Sequence, residues 1–128
     1  MNIIILAAVF AVLFIVKRAF AGAVVTPEEA ARRLAAGAAV LIDVREPAEW
    51  TGGVVKGALL LPLGDLRGGR KLWKPALEAN RDKELILYCA SGIRSGMAAR
   101  ILAAEKFKTV NAGGFASWKQ TGQPVVTP

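Results

Sequence analysis

Residues 84–102 read ELILYCASGIRSGMAARIL, and this stretch decides the fold. Leu85-Ile86-Leu87-Tyr88 is a short apolar run of the kind that forms a strand buried on both faces. Met97-Ala98-Ala99-Arg100-Ile101-Leu102 is made of strong helix formers with no breaker among them. Between the two lies Cys89-Ala90-Ser91-Gly92-Ile93-Arg94-Ser95-Gly96, which opens with the only cysteine of the chain. In a parallel α/β sheet, ligands bind outside the carboxyl ends of the strands, so the thiol falls where chemistry is usually done. The loop then enters a helix N-terminus, whose unpaired N–H groups and positive dipole end favour an anion. A thiolate held there has a lowered pKa, and the thiolate is the reactive form.

Two readings of Cys89 compete. A lone cysteine after an apolar strand serves in many proteins as a small buried hydrophobe. Its neighbours argue for a nucleophile. Gly92 lets a tight loop take positive φ, so that successive N–H groups point inward. Arg94 adds a fixed cation near the sulfur, and Ser95 is suited to cap the helix. A structural cysteine needs none of these.

The segment from Cys89 to Ser95 resembles the active-site loop of rhodanese-like sulfurtransferase domains, with its C-x-x-G-x-R pattern. Three more stretches resemble that family in order and spacing. They are Leu41-Ile42-Asp43-Val44-Arg45-Glu46-Pro47-Ala48-Glu49-Trp50, Gly57-Ala58 with Leu61-Pro62-Leu63, and Gly113-Gly114 with Trp118, Gly122 and Pro124-Val125. Together they span roughly residues 24–126. The resemblance implies a three-layer α/β fold: a small, mainly parallel central sheet of four to five strands flanked by helices. It implies that Asp43 is structural, fixing loops near the site. Arg45 then lies closer to the active site, either as a substrate contact or in a structural ion pair. One departure stands out: the family commonly has histidine and proline where this chain has Val54 and Lys56.

Composition narrows the chemistry. The 128 residues suit one domain, here residues 22–128, after an N-terminal segment. One cysteine excludes an intramolecular disulfide and a cysteine-rich metal site. No histidine is present, which removes Ser-His and Cys-His dyads and the usual zinc ligands. No metal and no cofactor are expected. The net charge of +7 comes without a basic block interleaved with aromatics, so nucleic acid is not expected as a partner. Small inorganic anions or an anionic membrane surface fit that excess better, as does a generally solvated basic surface.

Asn2 to Val16 is apolar and uncharged, and Lys17-Arg18 follow. Fifteen helical residues span ~22 Å against a ~30 Å hydrocarbon core. Continuing to Ala21 makes the length adequate, with Lys17 and Arg18 snorkelling to the headgroups. The expectation is an anchor over residues 1–21 forming a transmembrane helix in the inner membrane, with the domain in the cytoplasm by the positive-inside rule. The alternative is a signal sequence cut after Ala19-Phe20-Ala21, giving a periplasmic domain.

Further on, Val24-Val25 can join the sheet. Thr26-Pro27-Glu28-Glu29 starts a helix, with Thr26 as cap, Pro27 at the first position and Glu29 placed for a capping box. That helix should stop at Gly37, and Ala38 to Val44 reads as a buried strand. Pro47 to Trp50 suits a short helix, Ala58 to Leu61 a second strand, and 63–80 a helix broken at Gly68-Gly69. After the Cys89 loop, a helix to about Phe107, a short strand at Thr109-Val110 and a turn at Gly113-Gly114 complete the chain.

The expected chemistry follows from loop length. Cysteine phosphatases use C-x5-R, whereas Arg94 follows Cys89 at C-x4-R, a ring better suited to a sulfur atom carried on the cysteine. The Cys89 thiolate would attack the outer sulfur of a small anionic donor such as thiosulfate, and a thiol or cyanide would then remove it. The N–H groups of Ala90, Ser91, Gly92, Ile93, Arg94 and Ser95 would steady the persulfide, and Arg94 would help the donor bind. A persulfide carrier with little turnover of its own uses the same loop and is the other class.

Overall fold

The computed structural model describes residues 2–9 and 23–128. Helix α1 covers residues 3–9, and the Asn2 side chain accepts from the Ile4 N–H at 3.0 Å. Its apolar side chains stand clear of the domain, Ile3 at 82% exposure. Among the described residues no helix is long and apolar enough to cross a membrane. Most of the expected anchor, residues 10–21, lies outside the described residues.

The domain begins where the capping signal places it. Helix α2 (Pro27–Ala35) is capped by Thr26, whose side chain accepts from the Glu29 N–H at 3.1 Å. Glu29 does not close a capping box; its carboxylate takes Arg32 and Arg33 instead. Gly37 follows with φ +89°. Strand β1 (Ala39–Asp43), short helix α3 (Pro47–Trp50), strands β2 (Val54–Val55) and β3 (Leu59–Leu60) come next. Helix α4 (Leu63–Leu66) ends before the glycine pair, and α5 (Trp73–Ala79) restarts beyond it. Asp65 bridges that break by accepting from the N–H groups of Lys71, Leu72 and Trp73. Then follow β4 (Glu84–Cys89), α6 (Ile93–Ala104), β5 (Thr109–Gly114), α7 (Phe115–Gln120) and β6 (Val125–Val126).

Strand order in the central sheet is β3-β1-β4-β5, all parallel, and Val24 bridges Asn111 beyond β5. This is the expected α/β architecture of a central parallel sheet flanked by helices. The period of two sorts β4 between two cores. Leu85, Leu87 and Cys89 face α4, α5 and α6, packing with Leu66, Trp73, Ala98 and Leu102. Ile86 and Tyr88 face the opposite layer with Ala30, Val55, Ala112 and Trp118. An apolar side chain is therefore needed at every position of the strand, which is why it reads as an unbroken apolar run.

Three features differ from expectation. The antiparallel pair of β2 with β6 has no signal in the sequence, because two-residue strands leave no periodicity to read. It ties Val54 and Val55 to the C-terminal Val126 and Val125. Helix α6 stops at Ala104, short of Phe107, because Lys106 takes φ +74°. Strand β5 runs on to Gly114, since pairing with β4 holds it extended.

Candidate active site

Cys89 ends β4, a strand buried at every position after Glu84, and is itself inaccessible. The chain turns at Gly92, the N-cap of α6, with φ +92°. This is the left-handed region that glycine enters without penalty. The turn brings the Gly92 N–H back to the Cys89 sulfur at 3.0 Å. Behind the loop, Gly114 allows a close approach, since a Cβ there would lie 2.6 Å from the Ala90 carbonyl oxygen.

Ser95 does not cap the helix, because Gly92 occupies that position. It sits in the first turn, buried, with its hydroxyl 3.3 Å from the Cys89 sulfur and 2.7 Å from Asn111 Oδ1. Asn111 completes the support: its Nδ2 donates to the Gly92 carbonyl at 2.9 Å, and its Oδ1 also accepts from the Gly113 N–H. One amide thereby holds the beginning of α6, the serine beside the sulfur and the glycine turn. Nothing in the local sequence marks Asn111, a polar residue in a buried strand. Its only signal is that a buried amide must find partners.

Burial pushes the Cys89 thiol up, but hydrogen bonds to the sulfur outweigh it. The Ser95 hydroxyl and the N–H groups of Ser95, Ser91 and Gly92 bring the thiol below its ordinary value. Of the six loop N–H groups expected to serve the sulfur, these three bear on it. Ala90, Ser91 and Ile93 lie exposed on the rim.

Arg94 reaches out of the loop to Glu49 in α3, with Nη1 at 2.5 Å from Oε1 and Nη2 at 2.8 Å from Oε2. Glu49 Oε1 also accepts from the Glu46 N–H at 3.1 Å. The Arg94 guanidinium and that N–H hold the Glu49 carboxyl at about 2, against the opposing effect of burial. A depressed carboxyl stabilises the fold fully above its ordinary pKa, and the contribution is lost as pH falls through about 2. The loop stays tied to α3 throughout the neutral range.

Arg45 is buried with Asp43. Its Nε lies 3.1 Å from both carboxylate oxygens and its Nη2 2.8 Å from Oδ2. Nη2 also donates to the Gly53 carbonyl at 2.8 Å, and the guanidinium carbon lies 4.2 Å from the Phe115 ring centroid. Of the two alternatives for Arg45, this is the geometry of the ion pair. Asp43 is fully buried and takes the Arg45 N–H as well. The pair clamps the end of β1 to the segment before β2, next to Tyr88, whose phenol accepts from the Val55 N–H. Burial and the Asp43 carboxylate push that phenol up, so it stays neutral. Trp118 packs in the core and donates to the Ala112 carbonyl.

The profile of the family described as "Rhodanese-like domain" matches residues 26–121. The uncharacterized protein YqhL of Bacillus subtilis is 39% identical over 82 residues, which take in 62% of this chain and 60% of that protein. A protein of Allochromatium vinosum named "Sulfurtransferase" is 32% identical over 91 residues, 70% of this chain and 79% of that protein. Among solved structures, a rhodanese-related protein from Thermoplasma volcanium superposes with a TM-score of 0.67 at 28% identity. That alignment covers 84% of this chain and all of the other.

Proposed function

This chain belongs to the rhodanese-like domain family, and on that premise we propose that it moves sulfane sulfur through a persulfide on Cys89. The donor is thiosulfate or a similar molecule, and the acceptor is a cellular thiol or cyanide. One observation carries this reading: the sulfur of a single buried cysteine takes hydrogen bonds from its own loop, the Gly92 N–H at 3.0 Å and the Ser95 hydroxyl at 3.3 Å, and these lower the pKa of the thiol. No general base is needed when the thiol is already ionised.

In the first half-reaction the thiolate attacks the outer sulfur of the donor. The donor's S–S bond breaks and its electron pair leaves with the remainder, sulfite in the case of thiosulfate. The sulfur stays on Cys89, where the N–H groups that served the thiolate serve the persulfide. In the second, a thiophile attacks that outer sulfur and Cys89 returns as thiolate.

A carrier with little turnover of its own is the second reading, since the same loop suits it. Turnover separates the two. With excess donor and cyanide, the enzyme should release many thiocyanate molecules per protein, while a carrier stops near one.

We infer further that residues 1–21 hold the domain at the inner membrane, on its cytoplasmic side. The uncharged apolar stretch, the exposed side chains of α1 and Lys17-Arg18 support this. Full-length protein should sediment with membranes and be released by detergent, and a chain starting at Gly22 should stay in the supernatant. A mature N-terminus near Gly22 in a periplasmic fraction would overturn it and favour a cleaved signal sequence.

A further inference from the structure

Ser95 carries one hydroxyl proton, and two acceptors stand within reach of it. Its Oγ lies 2.7 Å from Asn111 Oδ1 and 3.3 Å from the Cys89 sulfur. The orientation of the amide is fixed by its other partners. Nδ2 faces the Gly92 carbonyl at 2.9 Å, and Oδ1 faces the Gly113 N–H at 3.1 Å. Turned over, the amide would set donor against donor and acceptor against acceptor. Gly96 leaves the space this needs, since a Cβ there would lie 3.1 Å from Nδ2. The Asn111 backbone is bonded in turn to Ala23 and Val25, on the outer side of β5. Oδ1 is thus held in place and has no hydrogen, so at 2.7 Å Ser95 must be the donor.

That proton cannot serve the sulfur at the same time. With Cys89 as a thiol no conflict arises: the S–H donates to a lone pair of Ser95 Oγ, and the hydroxyl donates to Asn111. Once the thiol loses its proton to solvent, the sulfur is an anion and only accepts. Rotating the hydroxyl about its C–O bond then trades a neutral hydrogen bond for a charge-assisted one, the stronger of the two. Asn111 tolerates the loss, because Oδ1 keeps the Gly113 N–H. In the persulfide the charge sits on the outer sulfur, and the hydroxyl is free to return to Asn111.

The charged groups around the thiol are engaged elsewhere. Arg94, in the loop, is closed on Glu49 of α3, with Glu46 in electrostatic reach. Asp43 and Arg45, at the end of β1, pack with Tyr88 and Phe115 in the layer opposite the sulfur. Arg67, at the end of α4, lies against Met97, and Arg100 is exposed further along α6. Strand β5, which carries Asn111, has no titratable side chain.

We propose that Asn111 is a positioning residue for Cys89: it holds the Ser95 proton while the sulfur is a thiol or a persulfide, and yields it to the sulfur when the thiolate forms. Asn111 acts through Ser95 and restrains the ionisation that the serine favours. The proposal rests on the sulfur-transfer reading above and adds a residue to it.

Alkylation by iodoacetamide, which needs only the thiolate, tests this across pH on the wild type, Ser95→Ala, Asn111→Ala and the double variant. Ser95→Ala should move the midpoint up, because the thiolate loses a donor. Asn111→Ala should move it down. Below the wild-type midpoint its alkylation should quicken about fivefold, the equivalent of one hydrogen bond. In the Ser95→Ala background the same Asn111 substitution should make no such difference. A purely structural Asn111, acting only through the Gly92 carbonyl, would slow alkylation with or without the serine, and that result overturns the proposal. A second measurement needs no Asn111 variant. With asparagine labelled at Cγ, the NMR signal of the Asn111 carbonyl should move as Cys89 titrates in the wild type, and should move far less in Ser95→Ala. Equal movement with and without the hydroxyl overturns the proposal as well. A wild type whose mass gains no sulfur from thiosulfate or an organic persulfide would overturn the sulfur-transfer reading, while alkylation still decides the role of Asn111.

Discussion

Cys89→Ser should abolish sulfur transfer, lowering turnover by at least ~10³-fold, because a neutral hydroxyl is a far weaker nucleophile and cannot hold sulfane sulfur. The fold should survive. Serine is close in size to cysteine, and its oxygen inherits the Gly92 N–H and the neighbouring Ser95 hydroxyl, so the cost is about 1 kcal/mol. After incubation with a sulfane-sulfur donor, the intact mass of the wild type should rise by one sulfur while that of the variant stays put. A variant that still gains sulfur would remove Cys89 from the mechanism. The wild-type thiol also offers a pH readout, as it is the only one in the chain. Its alkylation by iodoacetamide should reach half-maximal rate at a lower pH than that of a thiol in an unstructured peptide measured alongside. The sign for stability follows the same shift. A thiol depressed in the folded state stabilises the domain fully above the unfolded thiol pKa. That contribution is lost as pH falls through the lower native value.

Arg45→Ala should destabilise the domain by about 3–5 kcal/mol, since it leaves the Asp43 carboxylate buried and without its partner. Against a typical total of ~5–15 kcal/mol, a loss of that size lowers both the urea midpoint and the melting temperature by a wide margin. The reason lies in the geometry. The guanidinium meets both oxygens of Asp43, the Gly53 carbonyl and the Phe115 ring, so three local groups lose a partner at once. Asp43→Asn with Arg45→Leu removes both charges together and should recover part of the loss. The two roles considered for Arg45 separate cleanly. An ion-pair residue shows its effect in unfolding, whereas a substrate contact would leave stability intact and raise KM. The second pattern would refute the structural assignment.

Much of the site could be read from the chain because its features are local. The strand, the sharp loop and the helix around Cys89 are consecutive, and each announces itself by composition or by the residue that breaks a pattern. Gly92 is where positive φ was expected, and Thr26 caps where a cap was expected. The sequence suits Ser95 to a cap, whereas in the structure its hydroxyl turns inward to the sulfur. A serine at the start of a helix can cap it or turn inward, and propensity alone does not distinguish the two. The outcome follows from Gly92 taking the cap position and from a buried sulfur and amide offering partners on the inner side.

From the sequence alone came the class of the fold, the strand that carries the nucleophile and the loop that follows it, because periodicity and backbone preference act over a few residues. Only the tertiary structure decided who holds whom. Glu49 reaches Arg94 from 45 positions away, Asn111 reaches Gly92 from 19, and Val55 pairs with Val125 across most of the domain. Those partners meet because the parallel sheet gathers the ends of β1, β4 and β5 at one edge, with the short β2–β6 pair beside them. A hydrogen bond between distant segments leaves no period in either one.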